Sequence, residues 1–104
     1  MPVATVGAAQ IHVDAEGFLT EYGEWTPEIA DQLAAAIGIE LTDAHRKVIE
    51  FLRRDYPSQG ETATLRRVSI QARVPIKELF ALFPGKPAKK MAYVAGLPKP
   101  RGCV

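Results

Sequence analysis

Cysteine is almost absent from this chain: Cys103 is the only one in 104 residues. A single thiol cannot form an internal disulfide framework, and its lack of a partner suits a reducing compartment, read here as the cytoplasm. Histidine is nearly as scarce. His12 and His45 lie far apart in sequence, with the cysteine at the other end, so no zinc-ligand spacing exists and no metal is expected. No long apolar run offers a membrane span. The first nine residues, MPVATVGAA, lack the basic start and apolar stretch of a signal peptide and are read as a frayed, disordered N-terminus. A glycine-rich phosphate loop, a dinucleotide fingerprint and a nucleophile–base pair are missing too. No cofactor is therefore expected, and a self-contained enzyme is not the reading.

What is present belongs to an ordinary soluble domain. Hydrophobic content of 47% and charged content of 24% fit one globular unit with a modest core. A net charge of +1 conceals a strong division. Residues 1–61 hold 4 basic and 11 acidic side chains, a balance of −7. Residues 62–104 hold 9 basic side chains against Glu78 alone, a balance of +8. Such asymmetry points to a directed electrostatic partner, unless the halves neutralise one another across the fold.

Ile11 and Val13 alternate with Gln10 and His12, Asp14–Gly17 supplies a turn, and Phe18 and Leu19 follow, which predicts a short N-terminal hairpin. Thr26-Pro27-Glu28 starts a helix with Ile29, Leu33 and Ile37 on one stripe, and Gly38 stops it. Thr42 caps a second helix with Ala44, Val48, Phe51, Leu52 and Tyr56 inside, ended by Pro57-Ser58-Gln59-Gly60. A third begins at Thr62 or Thr64. A fourth carries Ile76, Leu79, Phe80 and Phe83, and a fifth opens at Pro87. The fold expected is mainly α: a small bundle of about five helices with a hairpin, spanning residues 10–95, then a mobile C-terminal arm over 96–104.

That arm reads Gly96-Leu97-Pro98-Lys99-Pro100-Arg101-Gly102-Cys103-Val104. Glycine and proline keep it out of helix and sheet. Extended, it spans roughly 23–25 Å from Gly96 to Cys103. Pro98 and Pro100 stiffen it, and Gly102 lets the tip approach another surface closely. Lys99 and Arg101 favour the thiolate of Cys103, while the α-carboxylate of Val104 opposes it. The simplest reading is a thiol presented to another molecule. Lys86, Lys89 and Lys90, with Arg66, Arg67 and Arg101, are candidates for a basic surface around its base. Residues 62–83 read as helix, break, helix with Arg66, Arg67, Arg73 and Lys77 nearby, so a helix-turn-helix DNA-binding regulator is an alternative. Its second helix offers no Asn, Gln or Arg for base edges, which favours a structural corner.

The strings Leu82-Phe83-Pro84-Gly85-Lys86-Pro87-Ala88 and Ala95–Val104, with Asp14–Leu19, Trp25, Gly38-Ile39, Leu41-Thr42 and His45, resemble the DsrC/TusE family of small sulfur-relay proteins. The resemblance covers residues 10–104 and implies a mostly helical fold with a mobile arm. It implies that Cys103 accepts sulfur as a persulfide and passes it on, the logic being that of thiol–disulfide exchange. Family members with a second tail cysteine serve dissimilatory sulfite reductase. Ala92 stands at that position here, so the chain is closer to the single-cysteine TusE type, which relays sulfur toward 2-thiouridine in tRNA. A DsrC-like docking subunit of a sulfite reductase is the alternative. Implied partners are sulfur donors and acceptors of the DsrE/TusD-like or sulfite-reductase-like kind. Arg46, Ala63 and Ile70 depart from the family's usual Trp, Pro and Lys.

Overall fold

The computed structural model describes residues 3–6 and 9–100, with side chains from Gln10 onward. Strands β1 (Val3–Val6) and β2 (Ala9–His12) form a two-stranded antiparallel sheet, with Val3 opposite His12 and Val6 opposite Ala9. The predicted strand at residues 10–13 is thus present, but it pairs with residues 3–6, inside the segment read as frayed. Val13 and Leu19 make only an isolated bridge. The cause is local. Asp14 Oδ1 accepts from the amides of Glu16 and Phe18 at 2.9 and 3.0 Å, and Gly17 takes φ +90°. This tight turn drives Phe18 and Leu19 inward instead of extending a ladder.

A 3₁₀ turn, Tyr22–Glu24, leads into the helices. Glu24 ties this turn to β2, accepting from the His12 amide at 2.8 Å and pairing with its Nδ1 at 2.7 Å. Helix α1 (Pro27–Ala36) starts where Thr26 Oγ1 accepts from the Ile29 amide. It ends before Gly38 at φ +73°. Helix α2 (Asp43–Gln59) begins at Thr42, where His45 Nδ1 accepts from the Thr42 amide at 3.0 Å. That contact makes Nε2 the protonated ring nitrogen, which donates to the Leu82 carbonyl at 2.8 Å. His45 is a buried cap and a strut to the far end of the fourth helix. Helices α3 (Leu65–Gln71), α4 (Ile76–Leu82) and α5 (Pro87–Val94) follow.

Helix α5 is the hub, lying against α1, α2 and α4. Its Met91, Ala92 and Val94, with Ala95 and Leu97 beyond it, are fully buried. Val48, Ile49 and Leu52 of α2, Val68 of α3 and Leu79 and Phe83 of the α4 segment complete the main core. Ile11, Val13, Leu19, Ile29 and Leu33 form a second cluster, and Trp25 and Tyr93 pack against both. Two stripes differ from expectation. In α2 the buried ridge runs through His45, Val48, Ile49 and Leu52, leaving Ala44, Phe51 and Tyr56 half-buried. In α4 only one ridge of a two-turn helix faces inward, so Ile76 and Phe80 remain exposed.

Two outcomes are expected. Leu97→Ala should cost about 2–5 kcal/mol by urea denaturation, since it empties a filled core site; a loss below about 1 kcal/mol would remove Leu97 from the core. The hydrogen bonds from His12 hold the Glu24 carboxyl below its ordinary range. A depressed pKa adds stability that is complete at neutral pH and fades as acid protonates the folded-state carboxylate. Glu24→Gln should therefore show a shallower acid-side loss of urea midpoint than the parent chain, and equal slopes would refute the coupling.

Candidate functional site at the root of the thiol arm

Arg101, Gly102 and Cys103 lie outside the described residues. The structure does show how the chain approaches them. Helix α5 closes with Gly96 at φ +71°; the Leu97 amide donates back to Ala92 O at 3.1 Å and the Gly96 amide to Tyr93 O at 3.3 Å. This is a Schellman closure, with Leu97 as its apolar plug. It leaves the Val94 and Ala95 carbonyls open. Trp25 Nε1 donates to Val94 O at 3.0 Å, and Arg53 Nη1 donates to Ala95 O at 2.8 Å.

Arg53 is a shared cation. Its guanidinium sits 3.9 Å from the Tyr22 ring centroid and 4.3 Å from that of Trp25. Its Nη2 donates to Tyr22 O at 2.8 Å, and burial pulls its pKa down. Of the Pro57–Gly60 string expected to end α2, Gly60 at φ +72° caps the helix, while Pro57 sits inside its last turn. Having no N–H, it leaves the Arg53 carbonyl free, and Tyr22 Oη donates to that carbonyl at 2.7 Å. The Tyr22 ring then stacks on Tyr56, centroids 5.9 Å apart. Tyr22, Trp25 and Arg53 thus tie the 3₁₀ turn, the end of α2 and the end of α5 together.

The predicted arm differs at its base. Gly96 and Leu97 belong to the body. The Pro98 carbonyl accepts from Thr62 Oγ1 at 2.7 Å, Lys99 Nζ lies 3.4 Å from Glu16 Oε2, and Pro100 is buried. The physical reason is that excluding helix and sheet does not prevent docking; an apolar Leu and a free carbonyl still find partners.

The candidate basic residues fall in different places. Lys86, Lys89 and Lys90 line a groove of about 520 Å³ floored by Phe18, Ile37 and Tyr93, with Glu16 on its rim. Because Glu16 also pairs with Lys99, the arm runs beside this groove. None of the three lysines makes a salt bridge among the described residues. Arg66 lines a separate shallow hollow on α3. Arg67 is engaged by Asp55, donating through Nε at 3.0 Å and Nη2 at 2.8 Å to its two oxygens, and is not a free cation of that surface. The α3–α4 corner exists, turned by Arg73 at φ +58°. The exposed side of α4 carries Ile76, Lys77, Glu78 and Phe80, a poor set for reading bases. Among the acidic residues of the first half, Glu24 holds His12 and Asp31 pairs with Arg46 at 2.8 Å. Among the described residues no group of His, Cys, Asp and Glu could hold a metal ion, and no helix is long and apolar enough to cross a membrane.

A buried helical hub whose end is closed over a clamped glycine defines a small, mainly helical domain. Residues 5–104 match the family described as DsrC like protein, and the chain belongs to it. It is 35% identical over 105 residues, the full length of both chains, to the dissimilatory-type sulfite reductase subunit gamma of Nitratidesulfovibrio vulgaris. It is 36% identical over 102 residues to sulfurtransferase TusE of Buchnera aphidicola, covering 91% of this chain and 90% of that one. The solution structure of Allochromatium vinosum DsrC superposes with a TM-score of 0.84 at 36% identity, covering 98% and 97% of the two chains.

Sequence reasoning did not assign roles to Tyr22 or Arg53, and it offered Thr62 only as a possible start of α3, which Thr64 caps instead. Their partners lie tens of residues away, and a single sequence carries no signal for such pairings. Trp25, the chain's lone tryptophan, was the one cue available. At Gly96 a Cβ would meet the Trp25 ring and approach Leu19 Cδ2 to 2.9 Å. Gly96→Ala combines left-handed strain with overpacking, about 2–5 kcal/mol together. Thermal unfolding should fall by at least about 8 °C; an unchanged midpoint would show that this close approach is not obligatory.

Proposed function

We propose that this chain is a single-cysteine sulfur carrier of the cytoplasm, with Cys103 as the carrying atom. The observation that supports it most is the lone thiol at 103, set just past a chain exit that the body holds firmly. Membership of a family with relatives named sulfurtransferase and sulfite reductase subunit gamma agrees with it.

The chemistry is a transfer without net oxidation. The Cys103 thiolate attacks the outer sulfur of a donor's cysteine persulfide. The new S–S bond forms as the old one breaks, and the donor leaves as thiolate. Handing the sulfur on repeats the step with Cys103 as leaving group. A free cysteine with a pKa of about 8.5 is only a few per cent thiolate at neutral pH, so the donor's site must supply activation. The groove with Lys86, Lys89 and Lys90 beside the arm would receive an acidic rim of donor or acceptor and steer its approach. Ala92 replaces any second tail thiol, so no disulfide can close within this chain. That favours relay of the TusE kind, toward tRNA thiolation, over a two-thiol redox cycle. Full-length identity to a subunit gamma supports a second reading, in which Cys103 reaches into a sulfite-reductase-like partner.

Incubation with a persulfidated donor protein, read by intact mass, should add one sulfur atom to the parent chain and none to Cys103→Ser. A trapped mixed disulfide at Cys103 would then identify the partner. Failure to load from any cognate donor would remove the carrier role.

A further inference from the structure

Arg53 has an unusual set of partners for a half-buried cation. It meets no carboxylate among the described residues. Its two terminal nitrogens donate instead to backbone carbonyls of different segments, Ala95 and Tyr22, while aromatic rings flank it. A planar fork suits that task, and a lysine ammonium could not serve both carbonyls with the same geometry. The Ala95 carbonyl is the last group of the α5 closure, at the negative end of the helix dipole and immediately before Gly96. Trp25 holds the preceding carbonyl and covers the face of Gly96 where a side chain would stand. Between them they close the hydrogen-bonding account of the helix end, which leaves one direction for the chain to depart.

We propose that Arg53, acting with Trp25, is the positioning residue of the Cys103 arm. It does not touch the sulfur. It fixes the Ala95 peptide, and with it the line along which Leu97 to Pro100 run across the body past Thr62 and Glu16. The proposal rests on the reading of Cys103 as carrier, because only then does the exit direction matter to a partner.

Amide hydrogen exchange on the full chain tests it without any sulfur chemistry. In Arg53→Gln, the Gly96 and Leu97 amides should exchange at least about tenfold faster relative to Val48 and Leu52 at the centre of α2. Arg53→Lys, which keeps the charge and one donor, should recover part of that protection. A nitroxide on Cys103 should broaden body resonances around Pro100 in the parent chain. It should broaden a different set in Arg53→Gln, and the parent set again in the Lys variant. If Arg53→Gln does not fold, Trp25→Phe, which removes the donor to Val94 and shrinks the ring beside Arg53 and Gly96, gives the same comparison. Uniform acceleration of all amides, or an unchanged broadening pattern, would overturn the proposal. Because this readout needs no persulfide, the clamp can fail while Cys103 still loads, and loading can fail while the clamp stands.

Discussion

Two carbonyl groups at the end of α5 decide how this molecule is organised. A Schellman closure satisfies the carbonyls before them and turns the chain at Gly96, but it offers nothing to Val94 and Ala95. Buried carbonyls left without donors cost about 1–3 kcal/mol each, so the fold must bring donors to them. It does so from a distance: an indole from the segment before α1 and a guanidinium from α2. Those two side chains join regions that otherwise belong to separate apolar clusters. Trp25 packs against both clusters, and Tyr93, the residue before Val94 on α5, does the same. The hub helix is thus fixed by packing along its length and by hydrogen bonds at its end.

The local grammar of the chain was open to reading because it is local. Thr26-Pro27 and Gly38 bound α1, and Thr42 and Thr64 begin α2 and α3, since caps depend on neighbours within a turn. Apolar periodicity found every helix but misjudged which ridge is buried. His45 and Ile49 displaced Ala44 and Phe51, and Ile76 and Phe80 turned outward, because a short helix touches its neighbours along one edge. The N-terminal hairpin lies one strand earlier than the alternation suggested, as the Asp14 turn is too tight to seed a ladder. The candidate site was legible only as a thiol and its tail. Contacts such as Arg53 to Ala95 or Thr62 to Pro98 join residues about forty positions apart, and nothing in the intervening sequence announces them.

The charge division survives folding in altered form. Asp55 with Arg67, and Glu16 with Lys99, neutralise across the two halves. The Asp55 pair is the firm one, bidentate and with a buried carboxylate, whereas the exposed Lys99 contact contributes at most about 1 kcal/mol and weakens in salt. What these pairs leave is a set of lysines at the start of α5 and cations on the α3–α4 corner. The lysines line the groove beside the arm with Glu16 on its rim, and Glu78 keeps one exposed acid on α4.

The burial of Pro100 sets a depth gauge. From its Cα, three further residues reach Cys103, a span of at most about 10–11 Å even when straight. With the root seated, the Cys103 Cα stays within that distance of Pro100, and only its side chain reaches further. Under the proposed carrier role, a receiving centre lying further inside would require the partner to lift Pro100 from its seat and to separate Lys99 from Glu16 and Pro98 from Thr62 first.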